Sequence, residues 1–149
     1  MALKFTPLDH PSALPFDTAT VDVVIGAGVI EHVVHPRASL MELHRVLRPD
    51  GLLILTFVPN RWSWTEFGHR VTKSPAAHRR RYTVSQLSRE LLDHGFLTVE
   101  SGQHQLMPSH GTNTLSRRLW QANERLERLP GLRLLCANHW VVARRLRVV

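Results

Sequence analysis

One cysteine, Cys136, stands among 149 residues. That excludes an internal disulfide and a cysteine-built metal centre, and a lone small thiol suits a buried packing position. Long hydrophobic runs are missing too. The longest, residues 23–30, falls well short of the ~20 apolar residues that a membrane span requires. Residues 1–5 hold no apolar core of signal-peptide length, so the expected compartment is the cytoplasm. Acidic residues are scarce, 12 against 19 lysines and arginines, and the chain carries a formal net charge of +7. This balance favours anionic partners without choosing among them, and arginine-rich composition is equally a habit of GC-rich coding. The basic residues are scattered and form no nucleic-acid-binding module, so nucleic acid is not the expected partner. What remains, 43% hydrophobic and 21% charged, is the make-up of an ordinary globular domain with enough chain to build a core.

The informative stretch is 14–60. Residues 21–25 form a β-branched run suited to a strand of a parallel sheet. Pro36 can open a helix, with Leu40, Leu43 and Leu47 on one face. Arg48, Pro49, Asp50 and Gly51 break that helix, and 52–58 is a second apolar run. Strand, helix and strand in this order predict two parallel strands joined by a right-handed crossover. Further on, Thr83 and Gln86 have capping-box spacing, with Val84, Leu87 and Leu91 as a buried helix face and Gly95 as the stop. Residues 97–106 alternate as a strand. Residues 113–129 read as an amphipathic helix with Leu115, Leu119, Ala122, Leu126 and Leu129 on one side, ended by Pro130 and Gly131. Residues 139–148 read as a closing strand. That charged helix is expected to dock on its own sheet, with peripheral contact to an anionic membrane as the minority reading.

Several pieces of this stretch occur together at a specific spacing: Leu14-Pro15-Phe16, an acidic residue before the valine-rich strand, Val29-Ile30-Glu31-His32-Val33, Arg45-Val46-Leu47-Arg48-Pro49-Asp50-Gly51, and Pro59-Asn60 closing the second strand. Together they resemble the second half of class I S-adenosylmethionine-dependent methyltransferases, nearest the small-molecule O- and C-methyltransferases of the ubiquinone-biosynthesis type. The resemblance implies an α/β fold: a partial Rossmann-like methyltransferase domain, mostly parallel with an antiparallel last strand, its first two strands absent. A single partial domain is then expected over 1–149. It would divide into a cofactor- and acceptor-side core (1–60), an aromatic and basic insertion (61–82) and C-terminal helices and strands (83–149).

The same resemblance assigns roles. The cofactor is S-adenosylmethionine. Asp9 and His10, at the end of the family's third strand, would contact the adenine, with Leu14 and Phe16 beside it. Gly26 and Ala27, at the end of the fourth strand, would line the cofactor crevice, although Gly26-Ala27-Gly28 lacks the third glycine of a G-x-G-x-x-G turn. Without a glycine-rich turn after a first strand, the 149 residues are expected to bind the cofactor feebly. The strand at 21–25 would be a free edge that a second chain could complete. Glu31, Asn60, Trp62 and Trp64 would face a small-molecule acceptor, and His32 is the candidate general base. In the ubiquinone-type enzymes an E-x-x-E-H pattern accompanies a divalent metal. Gly28 replaces the first glutamate here, and one carboxylate with one imidazole suits a hard cation poorly, so no metal is expected. Arg45 is expected in an ion pair and the run from His78 to Tyr82 in a solvated turn. Trp62, Trp64 and Phe67 cluster as a lid over an apolar substrate or an interfacial anchor, with core packing the alternative, better suited to Phe67 than to the two tryptophans.

Overall fold

The computed structural model describes residues 5, 7–8, 13–74, 78–106 and 114–147. Four strands, β1 (Val21–Ala27), β2 (Leu47–Pro59), β3 (Phe96–His104) and β4 (Asn138–Arg145), form one sheet in the order β1-β2-β4-β3. β1 and β2 are parallel, and β4 is antiparallel to both β2 and β3. Three strands therefore point one way and the last is reversed, which is the partial Rossmann-like arrangement expected from the sequence. β1 is an edge.

Five helices occur among the described residues: α1 (Pro36–Val46), α2 (Trp64–Val71), α3 (Val84–Asp93), α4 (Thr114–Leu126) and the short α5 (Pro130–Arg133). Pro36 occupies the first turn of α1, where its missing N–H costs nothing. Both halves of the capping box form: Gln86 N–H donates to Thr83 Oγ1 at 3.1 Å, and Thr83 N–H donates to Gln86 Oε1 at 3.0 Å. Gly95 then takes a left-handed φ of 81°, which stops α3 and starts β3.

Two expectations about boundaries change. The break at residues 48–51 is a bulge inside β2 instead of a turn before it. Leu47 pairs with Val21 while Leu52 pairs with Val23, so the residues between are extruded. A side chain on Gly51 would put its Cβ 2.8 Å from the Arg48 carbonyl oxygen, so glycine is required there. Leu47 consequently belongs to the strand, although it is still fully buried. Likewise, α4 ends at Leu126, and Pro130 opens α5.

The core lies on one face of the sheet. Leu40 of α1 and Leu87 and Leu91 of α3 close over Leu53, Leu55 and Val58 of β2, Phe96 of β3, and Val141 and Ala143 of β4. Alternate residues remain exposed on the outer strands, Val23 and Ile25 in β1, Leu97 and Val99 in β3. Residues 3–8 match the family's third strand by position, and without a first and second strand they are expected to have no neighbour to pair with. Phe5, Pro7 and Leu8 carry no strand pairing, and Phe5 and Leu8 are exposed. A strand with no neighbour leaves its backbone groups to water and gains no ladder. No helix among the described residues is long and apolar enough to cross a membrane.

Candidate functional site

The site is built where β1 and β2 end. Gly28 N–H donates to Thr56 O at 2.9 Å, carrying the parallel pairing one residue past β1, and a left-handed φ of 62° then swings the chain away. His32 N–H donates to Val29 O and closes a tight turn that holds Glu31 inward and His32 outward. The Glu31 side chain is 3% exposed and that of His32 66%. Glu31 Oε1 stands 3.7 Å from His32 Nε2, an ion-pair distance longer than a hydrogen bond, and Oε2 has no partner. A buried carboxylate oxygen without a donor is costly, and such atoms concentrate where something else binds.

Across from this turn, Phe57 of β2 adopts a φ of 58°, unusual for a bulky side chain. It lies at the irregularity between Leu55 and Val58, is half-exposed, and meets the His104 ring edge-on at 5.3 Å between centroids. Residues held in sparsely populated backbone regions cluster at functional sites. Periodicity alone does not single out Phe57.

The Leu14-Pro15-Phe16 loop is fastened to α1 by two residues one turn apart. Leu14 N–H donates to Glu42 Oε1 at 2.8 Å, while Arg45 Nη2 donates to Phe16 O at 2.9 Å and Leu14 O at 3.3 Å. Arg45 also pairs with Glu42 through Nε and Nη2, and this pairing, with the Leu14 amide, lowers the Glu42 carboxyl to about 2. Arg45 does form the ion pair expected of it, and beyond that it is the residue that shapes the loop. Leu14 is half-buried and Phe16 is 53% exposed. Asp9 and His10 lie outside the described residues. Gly26 faces the sheet partner, where a Cβ would come 3.0 Å from Leu55 Cδ2, and Ala27 is exposed at the end of the free edge.

The remaining sequence candidates are spread over different environments. Asn60 is fully buried. Its Nδ2 donates to Leu134 O and Cys136 O, and its Oδ1 accepts from Trp62 N–H, so the amide is spent tying β2 to the segment before β4. Trp62 is exposed. Trp64 is half-exposed and gives its indole N–H to Leu106 O. Phe67 is 66% exposed, which excludes the core-packing alternative for it, because α2 buries Glu66 on its inner side. Cys136 is buried, and desolvation pushes its thiol up to about 11.

Two residues escaped the sequence reading. Glu66 is buried, with Oε1 2.7 Å from His78 Nδ1. Arg80 then donates through Nη1 to Val33 O and through Nη2 to Val34 O, at 3.0 Å for the latter, pinning the 78–82 segment onto the turn that carries Glu31 and His32. The supposed solvated turn is therefore a structural clamp. No local pattern announces it, because its partners are 46 and 47 residues away.

A profile of the methyltransferase domain matches residues 5–55. A probable S-adenosylmethionine-dependent methyltransferase of Mycobacterium tuberculosis strain H37Rv is 37% identical over 86 residues, which are 58% of this chain and 30% of that protein. An uncharacterized methyltransferase of Mycolicibacterium gilvum is 30% identical over 143 residues, 90% of this chain and 55% of that one. Residues 5–55 thus carry part of a methyltransferase domain, and the chain is similar to S-adenosylmethionine-dependent methyltransferases. It spans between 30% and 55% of the length of these two relatives. A methyltransferase of Thermotoga maritima has the same fold, with a TM-score of 0.63 at 17% identity over 90% of this chain and 60% of that one. So does a chain from the complex of the Haloferax volcanii Trm112 activator with a methyltransferase, with a TM-score of 0.61 at 16% identity over 97% of this chain and 65% of that one.

The cofactor of these methyltransferases is S-adenosylmethionine. Phe16, Ala27 and Phe57 present exposed apolar surface at the loop, at the end of the free edge and on β2. In an open parallel sheet, ligands bind at the carboxyl ends of the strands. Among the described residues no strand pairs with the far side of β1, so no glycine-rich turn faces Ala27.

Proposed function

We propose that this chain forms the acceptor side of a methyl-transfer cleft, and that the reaction it serves moves a methyl group from S-adenosylmethionine to a small-molecule acceptor. The observation supporting this is the turn after β1, which places a buried Glu31 and an exposed His32 beside a free strand end, opposite the strained Phe57. When bound, the cofactor supplies an electrophilic methyl group on a sulfonium. The chain's own residues would do the rest. Leu14 and Phe16, held by Glu42 and Arg45, would flank the adenine, and Gly26 and Ala27 would lie along the crevice floor. His32, open to solvent, would take the acceptor proton at a ring nitrogen as the nucleophile forms its bond. Phe57 and the exposed Trp62 and Trp64 would exclude water and orient the acceptor, and alignment is the main lever available in a displacement of this kind.

The 149 residues by themselves are proposed to bind the cofactor weakly and to be weak or inactive as a catalyst, because only one bank of the crevice is present beside β1. Isothermal calorimetry of the isolated chain with S-adenosylmethionine tests this. Heat too small to fit is expected, and a stoichiometric micromolar isotherm would overturn it. A second reading, a non-catalytic half-domain that completes another methyltransferase, draws on the free β1 edge with its exposed Val23 and Ile25. Co-expression with a chain bearing a glycine-rich turn separates the two. Restored methyl transfer that is lost in His32→Ala supports the first, and restored transfer indifferent to His32→Ala supports the second.

A further inference from the structure

Glu31, His32 and His78 each bring one donor atom within 4.8 Å of the other two. We propose that they form a binding site for a divalent transition metal of the zinc class, with Glu66 as the group that orients His78. Three independent features meet there. First, Glu31 is buried with its carboxyl Oε2 unpartnered. Second, His78 makes a 2.7 Å contact through Nδ1 to the buried Glu66 carboxylate, which leaves Nε2 as the ring nitrogen for a ligand. A carboxylate that fixes the tautomer and direction of a ligating imidazole is the usual support of a metal-bound histidine. Third, the two imidazoles already approach each other, their centroids 5.6 Å apart and their planes tilted by 52°.

The donor set decides the metal. Two imidazoles and one carboxylate suit zinc, whereas magnesium and calcium demand oxygen ligands nearly throughout. The sequence reading dismissed a hard cation because Gly28 removes a carboxylate. The fold supplies instead an imidazole from the 78–82 segment, held in place by Arg80 on the carbonyls of Val33 and Val34. Tetrahedral zinc with ~2.0 Å bonds needs donors about 3.3 Å apart. A rotation of the exposed His32 side chain is the adjustment required, and Glu31 and His78 are the fixed members. Three protein ligands leave a fourth position open, as in catalytic zinc sites. Binding of the metal stands apart from the function proposed above: with zinc bound, His32 is a ligand and no longer a free base for the acceptor proton.

The test therefore uses the full chain with zinc alone, without cofactor or acceptor. Equilibrium dialysis against zinc followed by elemental analysis is expected to give one zinc per chain. Cobalt in its place should give the intense visible bands of a four-coordinate ion. Glu31→Gln, which preserves shape, and His78→Ala should abolish stoichiometric binding. Glu66→Gln should weaken it by about 10- to 100-fold. His69→Ala, on α2 and outside the cluster, should leave it unchanged. A readout on the unaltered chain guards against variants that fail to fold: zinc should move the ring-nitrogen resonances of His32 and His78 and leave those of His44 and His94. Absence of stoichiometric zinc, or zinc retained in both Glu31→Gln and His78→Ala, would overturn the site. Tight cofactor binding with intact zinc binding would sink the proposed function alone, and feeble cofactor binding without stoichiometric zinc would sink the metal site alone.

Discussion

Arg45 and Glu42, one turn apart on α1, form a single unit: Nη2 of the arginine lies 2.7 Å from Oε1 of the glutamate, and both side chains reach the backbone of the Leu14-Pro15-Phe16 loop. The loop is thus shaped by the crossover helix, and a residue that looks like a surface cation holds its backbone in place.

Arg45→Lys should free this loop without unfolding the sheet, because an ammonium cannot reproduce the forked contacts. The expected signs are faster amide exchange at Leu14, with protection in α3 and β4 unchanged. The Glu42 carboxyl, held at about 2 by Arg45 and the Leu14 amide, adds stability that is fully present above its ordinary value of 4.5. That contribution is lost as pH falls through about 2, and the Arg45→Lys chain should lack the acid limb. Denaturant midpoints measured across this range check it.

Asn60→Ala should cost about 2–4 kcal/mol, since the carbonyls of Leu134 and Cys136 lose their buried donor. Asn60→Asp should be worse, because it turns a carboxylate towards those same two oxygens. Urea unfolding of the three chains gives the order.

Gly102→Ala should destabilise by about 1–3 kcal/mol. Gly102 pairs with Trp140 across the β3–β4 ladder, and an added Cβ would lie 2.6 Å from atoms of the indole ring. The penalty should fall sharply in a Trp140→Ala background. A double-mutant cycle by thermal unfolding shows whether the two changes couple.

Stability should rise with pH through the histidine range. Burial lowers His104 and His139, and burial with the Arg145 charge lowers His44, all from an ordinary value of 6.5. Below 6.5 the unfolded chain binds protons that the folded one refuses, so unfolding takes up protons and acid favours it. His139 is the most confined: Nε2 donates to Tyr82 O at 2.9 Å, and Nδ1 is buried without a partner. Urea midpoints between about pH 5 and 7 should climb, and His139→Gln should flatten the slope, because glutamine takes up no proton in that range.

Much of this was decided locally and was legible as such. Pro36 at a helix start, the reciprocal bonds of Thr83 and Gln86, the left-handed Gly95 and the β-branched run of β1 act over a few residues, so the chain alone fixes them. The family spacing from Leu14 to Asn60 likewise carried the parallel pair and the reversed last strand. Phe5, Pro7 and Leu8 lie outside any strand, as expected of a segment with no neighbour, because a strand exists only by pairing. The exposure of Phe67 follows from the side of α2 that Glu66 and its bond to His78 turn inward.

What the amino-acid order determined by itself was the set of short-range elements and their sequence along the sheet. Only the tertiary structure decided that His78 joins Glu31 and His32, that Asn60 is spent on backbone carbonyls, and that Arg80 clamps a turn 46 residues away. The physical reason is range. Caps, turns and apolar periods are settled by contacts within a few residues, whereas a cluster of donors is settled by which loops the sheet order brings to the same strand ends.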